Sequence, residues 1–366
     1  MDALNTLTRL IESEVGQIPP HQQDNRVATI EALDQVLQRP YLKILDTVLP
    51  SGVIVRSYFF DIPQDAETDP KPILHLSPGG SRNAGSLVEL AGILAAEGIP
   101  VCVTDYPGQG FSTGTNKGAT IDTMADAVQM VLKTHFEGIP VIVGGHSKGG
   151  TVSQTVVFKE ILGYFENPEV DRLINLMGYI SIASGPMNPL AQILNTGCLA
   201  ILSAIIGYLR KETTVINFFP STLKDEDLRI APEKLKLLLN AFGSRDSIYI
   251  LEGLFNMRDD FAPTSEQVEK FVNEFGQIAA QLVHISGDSI FPLEDTQRQP
   301  GALRRMRRWE ELQIGPAGLV PIKRELGHSA STLYPQIVAP FVAEAYWHIV
   351  NGTTGEGGNA LPPKES

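Results

Sequence analysis

Pro140-Val141-Ile142-Val143-Gly144-Gly145-His146-Ser147-Lys148-Gly149-Gly150 decides how this chain is read. The run Pro140–Val143 is apolar and reads as a buried strand. The run Gly150–Phe158 is helix-capable. Between them lies G-x-S-x-G, Gly145 to Gly149. In that context the pattern describes a sharp strand-to-helix turn that lifts a serine hydroxyl out at the end of a sheet. Such a turn strains the serine backbone and brings strand and helix close together. Gly145 and Gly149, two residues either side of Ser147, remove the side chains that would collide there. Without strand and helix the same letters describe only a Gly-rich turn with a surface serine.

The flanking sequence repeats this strand-helix alternation. Residues 42–62 change to a period near two and break at Pro50-Ser51-Gly52, which predicts a β-hairpin. Ile73–Leu76, Val101–Thr104, Met177–Ile182 and Gln281–Ser286 read as strands. Leu87–Ala96, Ile121–Phe136 and Leu333–Val350 read as helices. Strands that alternate with helices predict an α/β fold with a mostly parallel, doubly covered sheet. The alternation stops at Gly185-Pro186 and resumes near residue 263. The intervening 187–262 is apolar and helical, and predicts a cap inserted over the strand ends. Residues 1–41 carry two helical repeats separated by Pro19-Pro20 and predict an N-terminal helical extension. The expected core is thus 42–186 with 263–351, and 352–366, rich in Gly and Pro, is an expected disordered tail.

Composition narrows the function classes. The chain has 366 residues, with 43% hydrophobic and 19% charged, which is ordinary for a globular protein. Its formal charge of −13 leaves no basic excess to neutralise phosphates, so nucleic acid is not an expected partner. Cys102 and Cys198 make no disulfide framework, and Cys102 in an apolar run reads as a buried thiol. No Cys/His cluster has zinc spacing, so no metal or other cofactor is expected. The N-terminus lacks the basic start and apolar core of a signal peptide. Cys198–Leu209 is too short to cross a bilayer, which takes about 20 apolar residues. The expectation is a soluble, cytoplasmic chain without stable membrane insertion. Self-association through residues 1–41 or the cap stays open.

A serine hydroxyl needs a base to activate it, and the base needs an orienting acid. Downstream of Ser147, Asp288 follows the Gln281–Ser286 strand, which puts it at the sheet edge where open α/β sheets bind ligands. The other position for an acid, Ala183-Ser184-Gly185-Pro186, holds no carboxylate. Of the seven histidines, His328 and His75 can lie near Ser147, and only His328 follows the acid. His146 sits within the elbow, His135 ends a helix and His284 reads as pointing out of a strand. The negative charge formed on a carbonyl oxygen needs two N–H donors. The backbone amides of Lys148, next after the serine, and of Ser77, in the loop after Ile73–Leu76, are the expected pair. Asp105, in Asp105-Tyr106-Pro107-Gly108-Gln109-Gly110-Phe111-Ser112, reads as tying down its own loop.

His75–Gly80, Asp105–Ser112, Gly145–Gly149, Asp288–Pro292 and Gly327-His328, in this order, resemble the α/β-hydrolase superfamily. The resemblance covers roughly residues 42–350 apart from the cap. His75-Leu76 stands where the family's His-Gly is usual. A serine nucleophile, not an aspartate, argues against the dehalogenase and epoxide hydrolase branches. The resemblance implies a Ser147, Asp288, His328 triad that cleaves an ester, lactone or thioester of a fairly apolar small molecule through an acyl-enzyme. Non-hydrolytic outcomes on the same fold remain as alternatives, namely C–C cleavage, acyl transfer and cyclisation. A ligand-binding receptor is a further one.

Overall fold

The computed structural model describes residues 42–62, 70–80, 82–114, 120–166, 174–184, 278–285, 309–314 and 330–353, with Asp288, His328 and scattered positions between 264 and 273. The expected N-terminal extension and cap fall outside these residues, as does the tail from residue 354.

Among the described residues, eight strands form one sheet in the order β1-β2-β4-β3-β5-β6-β7-β8. They are β1 Leu42–Val48, β2 Ile54–Phe60, β3 Ile73–Ser77, β4 Val101–Thr104, β5 Pro140–His146, β6 Asn175–Ile182, β7 Ala279–Ile285 and β8 Trp309–Ile314. β1 and β2 make the expected hairpin, paired Leu42 to Phe60 through Val48 to Ile54. Its turn closes through two 2.8 Å hydrogen bonds, Gly52 N–H to Leu49 O and Leu49 N–H to Val53 O. Gly52 takes φ 80°, a left-handed value that suits glycine. β2 is antiparallel to β4. Every pairing from β4 across to β8 is parallel.

Helices cover both faces. α1 Val88–Ala96 and α5 Pro335–Thr353 lie together on one, with α5 against β6 and β7. α2 Ile121–His135 and α3 Lys148–Glu166 lie together on the other. Side chains alternate between two cores accordingly. Leu74, Leu76, Val101, Val103, Ile142 and Ile180 pack with α1 and α5. Ile73, Cys102, Val141, Val143 and Tyr179 pack with α2 and α3. Burial on both faces is why these strands read as unbroken apolar runs.

β8 differs from the sequence reading, which placed no strand between residues 287 and 328. Among the described residues it ends the sheet, paired with β7 alone. A strand with one neighbour escapes the demand for apolar residues on every position. Trp309-Glu310-Glu311-Leu312-Gln313-Ile314 therefore carries little strand signal. His284 also differs. It is buried in β7, 4% exposed.

His75 is enclosed in β3, its Nε2 at 2.8 Å from Thr104 Oγ1. Burial lowers its pKa from 6.5 to about 3. The unfolded chain thus binds a proton that the fold refuses. Stability from this group is complete above the unfolded pKa and falls as pH drops toward the folded one, by about 1.4 kcal/mol per pH unit. His75→Leu is expected to remove about one proton from the slope of unfolding free energy against pH, measured by urea melts in the window between those two pKa values. An unchanged slope would contradict this account.

Candidate active site

Ser147 is the single residue between β5 and α3. Its φ is 56°, left-handed for a residue with a side chain. The turn is over-determined by its neighbours. The Ser147 amide donates to Ile182 O at 3.0 Å, and the Gly150 amide donates to Ser147 O at 2.9 Å. Ala183, next after Ile182, also takes a left-handed φ of 45°. A Cβ on Gly145 would lie 2.3 Å from the Gly149 carbonyl carbon, and one on Gly149 would lie 2.0 Å from Ser77 O. Those are backbone atoms that cannot swing aside, so both positions require glycine. From Val141 to Gly150 every residue is buried except Ser147, which is half-buried. The elbow therefore offers one side chain to the outside, and it is the serine.

Asp288 and His328 meet. Asp288 follows β7, its amide donating to Ile285 O at 3.2 Å. His328 precedes α4, Ala330–Leu333. His328 Nδ1 lies 2.8 Å from Asp288 Oδ2, with the two side chains 6% and 0% exposed. An ionised carboxylate only accepts, so the ring carries its proton on Nδ1, and Nε2 is the basic nitrogen. The His328 ring lies 4.8 Å, centroid to centroid, from that of His146, the residue before Ser147. The three expected residues thus arrive at the carboxyl end of the sheet from β5, β7 and the loop before α4.

The two expected amide donors lie on either side of the elbow. Lys148 opens α3, where the first amides of a helix have no partner within it. Its side chain turns inward, Nζ standing 5.0 Å from the centre of the Tyr106 ring. Ser77 is the last residue of β3 and pairs in register with Gly145. In that loop Gly79 lies against the elbow, where a Cβ would come 3.3 Å from Ser147 Cβ and 3.1 Å from His146 Nδ1. The buried Tyr106 hydroxyl donates to Pro78 O at 3.3 Å. The Pro78–Gly79 peptide is trans, so holding that carbonyl turns the Gly79 N–H to the opposite side, away from Tyr106.

Other marked residues hold the loops. Asp105 Oδ1 accepts from the Ala84 amide at 2.7 Å, and Oδ2 from the Phe111 amide at 2.9 Å. Burial raises its pKa to about 6 despite these bonds. Asp105 thereby ties the loop after β4 to the one after β3. His135 ends α2 and meets Thr47 Oγ1 at 2.9 Å. Cys102 is buried, and desolvation pushes its thiol up to about 12, far from a thiolate at neutral pH. Among the described residues no group of three His, Cys, Asp or Glu is placed to hold a metal ion. No described helix is long and apolar enough to cross a membrane.

Comparison with known proteins follows the same lines. A family model described as serine aminopeptidase, S33, matches residues 68–215. An esterase from Thermogutta terrifontis superposes with a TM-score of 0.55, over 84% of this chain and 99% of that one, at 18% identity. The fold is that of the α/β-hydrolases, and residues 68–215 match one of their families. A 2-hydroxy-6-oxo-6-phenylhexa-2,4-dienoate hydrolase from Rhodococcus shares the fold, with a TM-score of 0.54 over 84% and 99% of the two chains at 14% identity. In sequence, the chain is 34% identical over 116 residues to a monoglyceride lipase homolog of monkeypox virus. That match spans 30% of this chain and 39% of the relative. The family-model match contains the elbow and ends before Asp288 and His328.

The glycine contacts generate a paired expectation. Gly149→Ala drives a methyl group into Ser77 O, which should destabilise the fold by about 3 kcal/mol or more, or prevent folding. Gly163→Ala lies in the same helix with open space around it, and should be neutral or stabilising by up to about 1 kcal/mol. Thermal denaturation of the two variants measures the difference. Equal melting temperatures would contradict the close approach of β3 to α3.

Proposed function

We propose that this protein is a serine hydrolase that cleaves an ester, lactone or thioester of a small apolar molecule through an acyl-enzyme on Ser147. The observation that carries the reading is the His328–Asp288 pair, bonded at 2.8 Å, with the His328 ring 4.8 Å from that of His146, the residue before a left-handed Ser147. His328 Nε2 takes the hydroxyl proton as Ser147 Oγ attacks the substrate carbonyl carbon. Asp288 keeps the imidazole in the tautomer that can accept and offsets its charge once it has done so. The tetrahedral oxyanion is held by the Lys148 amide and by the loop Ser77–Gly80. Ser77 is the donor expected from sequence. Contact with Ser147 and the orientation of the Pro78–Gly79 peptide favour Gly79 for that second bond. The intermediate collapses, and the leaving alkoxide or thiolate takes the proton from His328. A water, deprotonated by the same nitrogen, then attacks the acyl carbon and releases the acid.

The ester reading draws on the monoglyceride lipase homolog, whose name concerns a glycerol ester. An apolar acyl group fits that name.

Labelling with a fluorophosphonate, read by intact mass, tests the nucleophile. An adduct is expected on wild type and none on Ser147→Ala. Hydrolysis of p-nitrophenyl esters of increasing chain length should fall by a factor on the order of 10³ or more in that variant, with the fold intact by circular dichroism. Turnover surviving in Ser147→Ala would remove Ser147 from the chemistry. Binding of esters by wild type without adduct or turnover would replace an enzyme with a receptor.

A further inference from the structure

His146 is spent on neither nucleophile nor base, yet it is 1% exposed at the centre of the site. Its Nε2 lies 2.7 Å from the backbone carbonyl oxygen of His328, across 182 residues of chain. A carbonyl only accepts, so the His146 ring carries its proton on Nε2 and donates it to that oxygen. Burial, with the nearby His328 and Arg82, holds its pKa well below 6.5, which keeps the ring neutral. A neutral ring is what the neighbouring base requires, because a fixed cation at this distance would oppose its protonation during turnover. The other side of the ring is covered by Gly79, whose missing side chain leaves it room. A second tie reaches the same segment. The buried Arg82, from the loop after β3, donates through Nη1 to Thr332 Oγ1 at 2.8 Å, four residues beyond His328.

We infer that His146 is a positioning residue for the general base, fastening the main chain of His328 to the nucleophile elbow while Arg82 fastens the turn behind it. This rests on the proposed serine hydrolase chemistry and adds the means by which its base is held. Asp288 fixes only the rotation and tautomer of the imidazole. The distance from the base to Ser147 is fixed by where the His328 backbone sits, and His146 is joined to Ser147 by a peptide bond. One rigid unit therefore carries the nucleophile and the anchor of its base. A misplacement of about 1 Å can cost on the order of 10²-fold in rate.

Two substitutions separate this role from simple packing. His146→Phe keeps a ring and loses the N–H. His146→Gln offers a side-chain N–H near the place of Nε2. For a p-nitrophenyl ester, His146→Phe is expected to lower kcat on the order of 10²-fold, with KM within about twofold of wild type. Fluorophosphonate labelling should slow in parallel. His146→Gln should recover about tenfold or more of the loss. The downfield proton resonance of His328 Nδ1–H in the Asp288 bond should shift or broaden in His146→Phe and return in His146→Gln. If His146→Phe does not fold, Thr332→Val reads the second tie, with a severalfold loss in kcat at unchanged KM. Equal losses in the Phe and Gln variants, or kcat unchanged in the soluble variants, overturn the inference while leaving the hydrolase reading in place. A wild-type enzyme that takes no label overturns both.

Discussion

One close approach governs this molecule. The first turn of α3 lies on the end of β3 and against the last turns of β5, with no side chain between backbones. Only glycine at 145 and 149 permits it, and only a left-handed residue between them lets the chain reverse from strand into helix. That residue is Ser147. The strain there, of about 1–3 kcal/mol, is sustained because hydrogen bonds from its amide to Ile182 O and from the Gly150 amide to its carbonyl leave the serine no relaxed alternative. A helix amide, a half-buried hydroxyl and the β3 loop then come together as consequences of one packing contact. The site is a by-product of how tightly the sheet can be wound, and the glycines set that tightness.

The rest of the sheet serves to bring distant pieces to this point. The strand order makes β5 central, and the loops after β3, β5 and β7 open on the same edge. Asp105 and Tyr106 extend that arrangement from β4, Asp105 by collecting the Ala84 and Phe111 amides and Tyr106 by holding Pro78 O. The α5 helix closes the other face, and its Tyr346 hydroxyl donates to Pro72 O, at the foot of β3, at 2.8 Å. Residues that never meet substrate thus determine where the reacting atoms sit.

Much of this was legible in the amino-acid order. Val101–Thr104 is a strand from end to end as read, because a strand buried on both faces must be apolar throughout. The elbow announces itself through glycine spacing, and Asp288 and His328 through their order along the chain. What escaped has a common cause. β8 lies at the edge of the sheet and needs no apolar pattern. His146 works through a backbone carbonyl, and every residue has one, so no letter marks its partner. Arg82 carries no mark in the sequence, and only the fold buries it beside Thr332. The Tyr106 hydroxyl that holds Pro78 O, on which the proposal of Gly79 beside Ser77 rests, carries no mark in the sequence either.

The contact between Arg82 and Thr332 spans 250 residues, and that between His146 and His328 spans 182. A ribosome has therefore emitted the whole elbow well before His328, and every described strand precedes that residue. Contacts this distant in sequence are slow to form, because loop closure must precede their reward. Under the proposed chemistry, a newly made elbow has its serine but not its base, and gains it once the chain around His328 reaches His146.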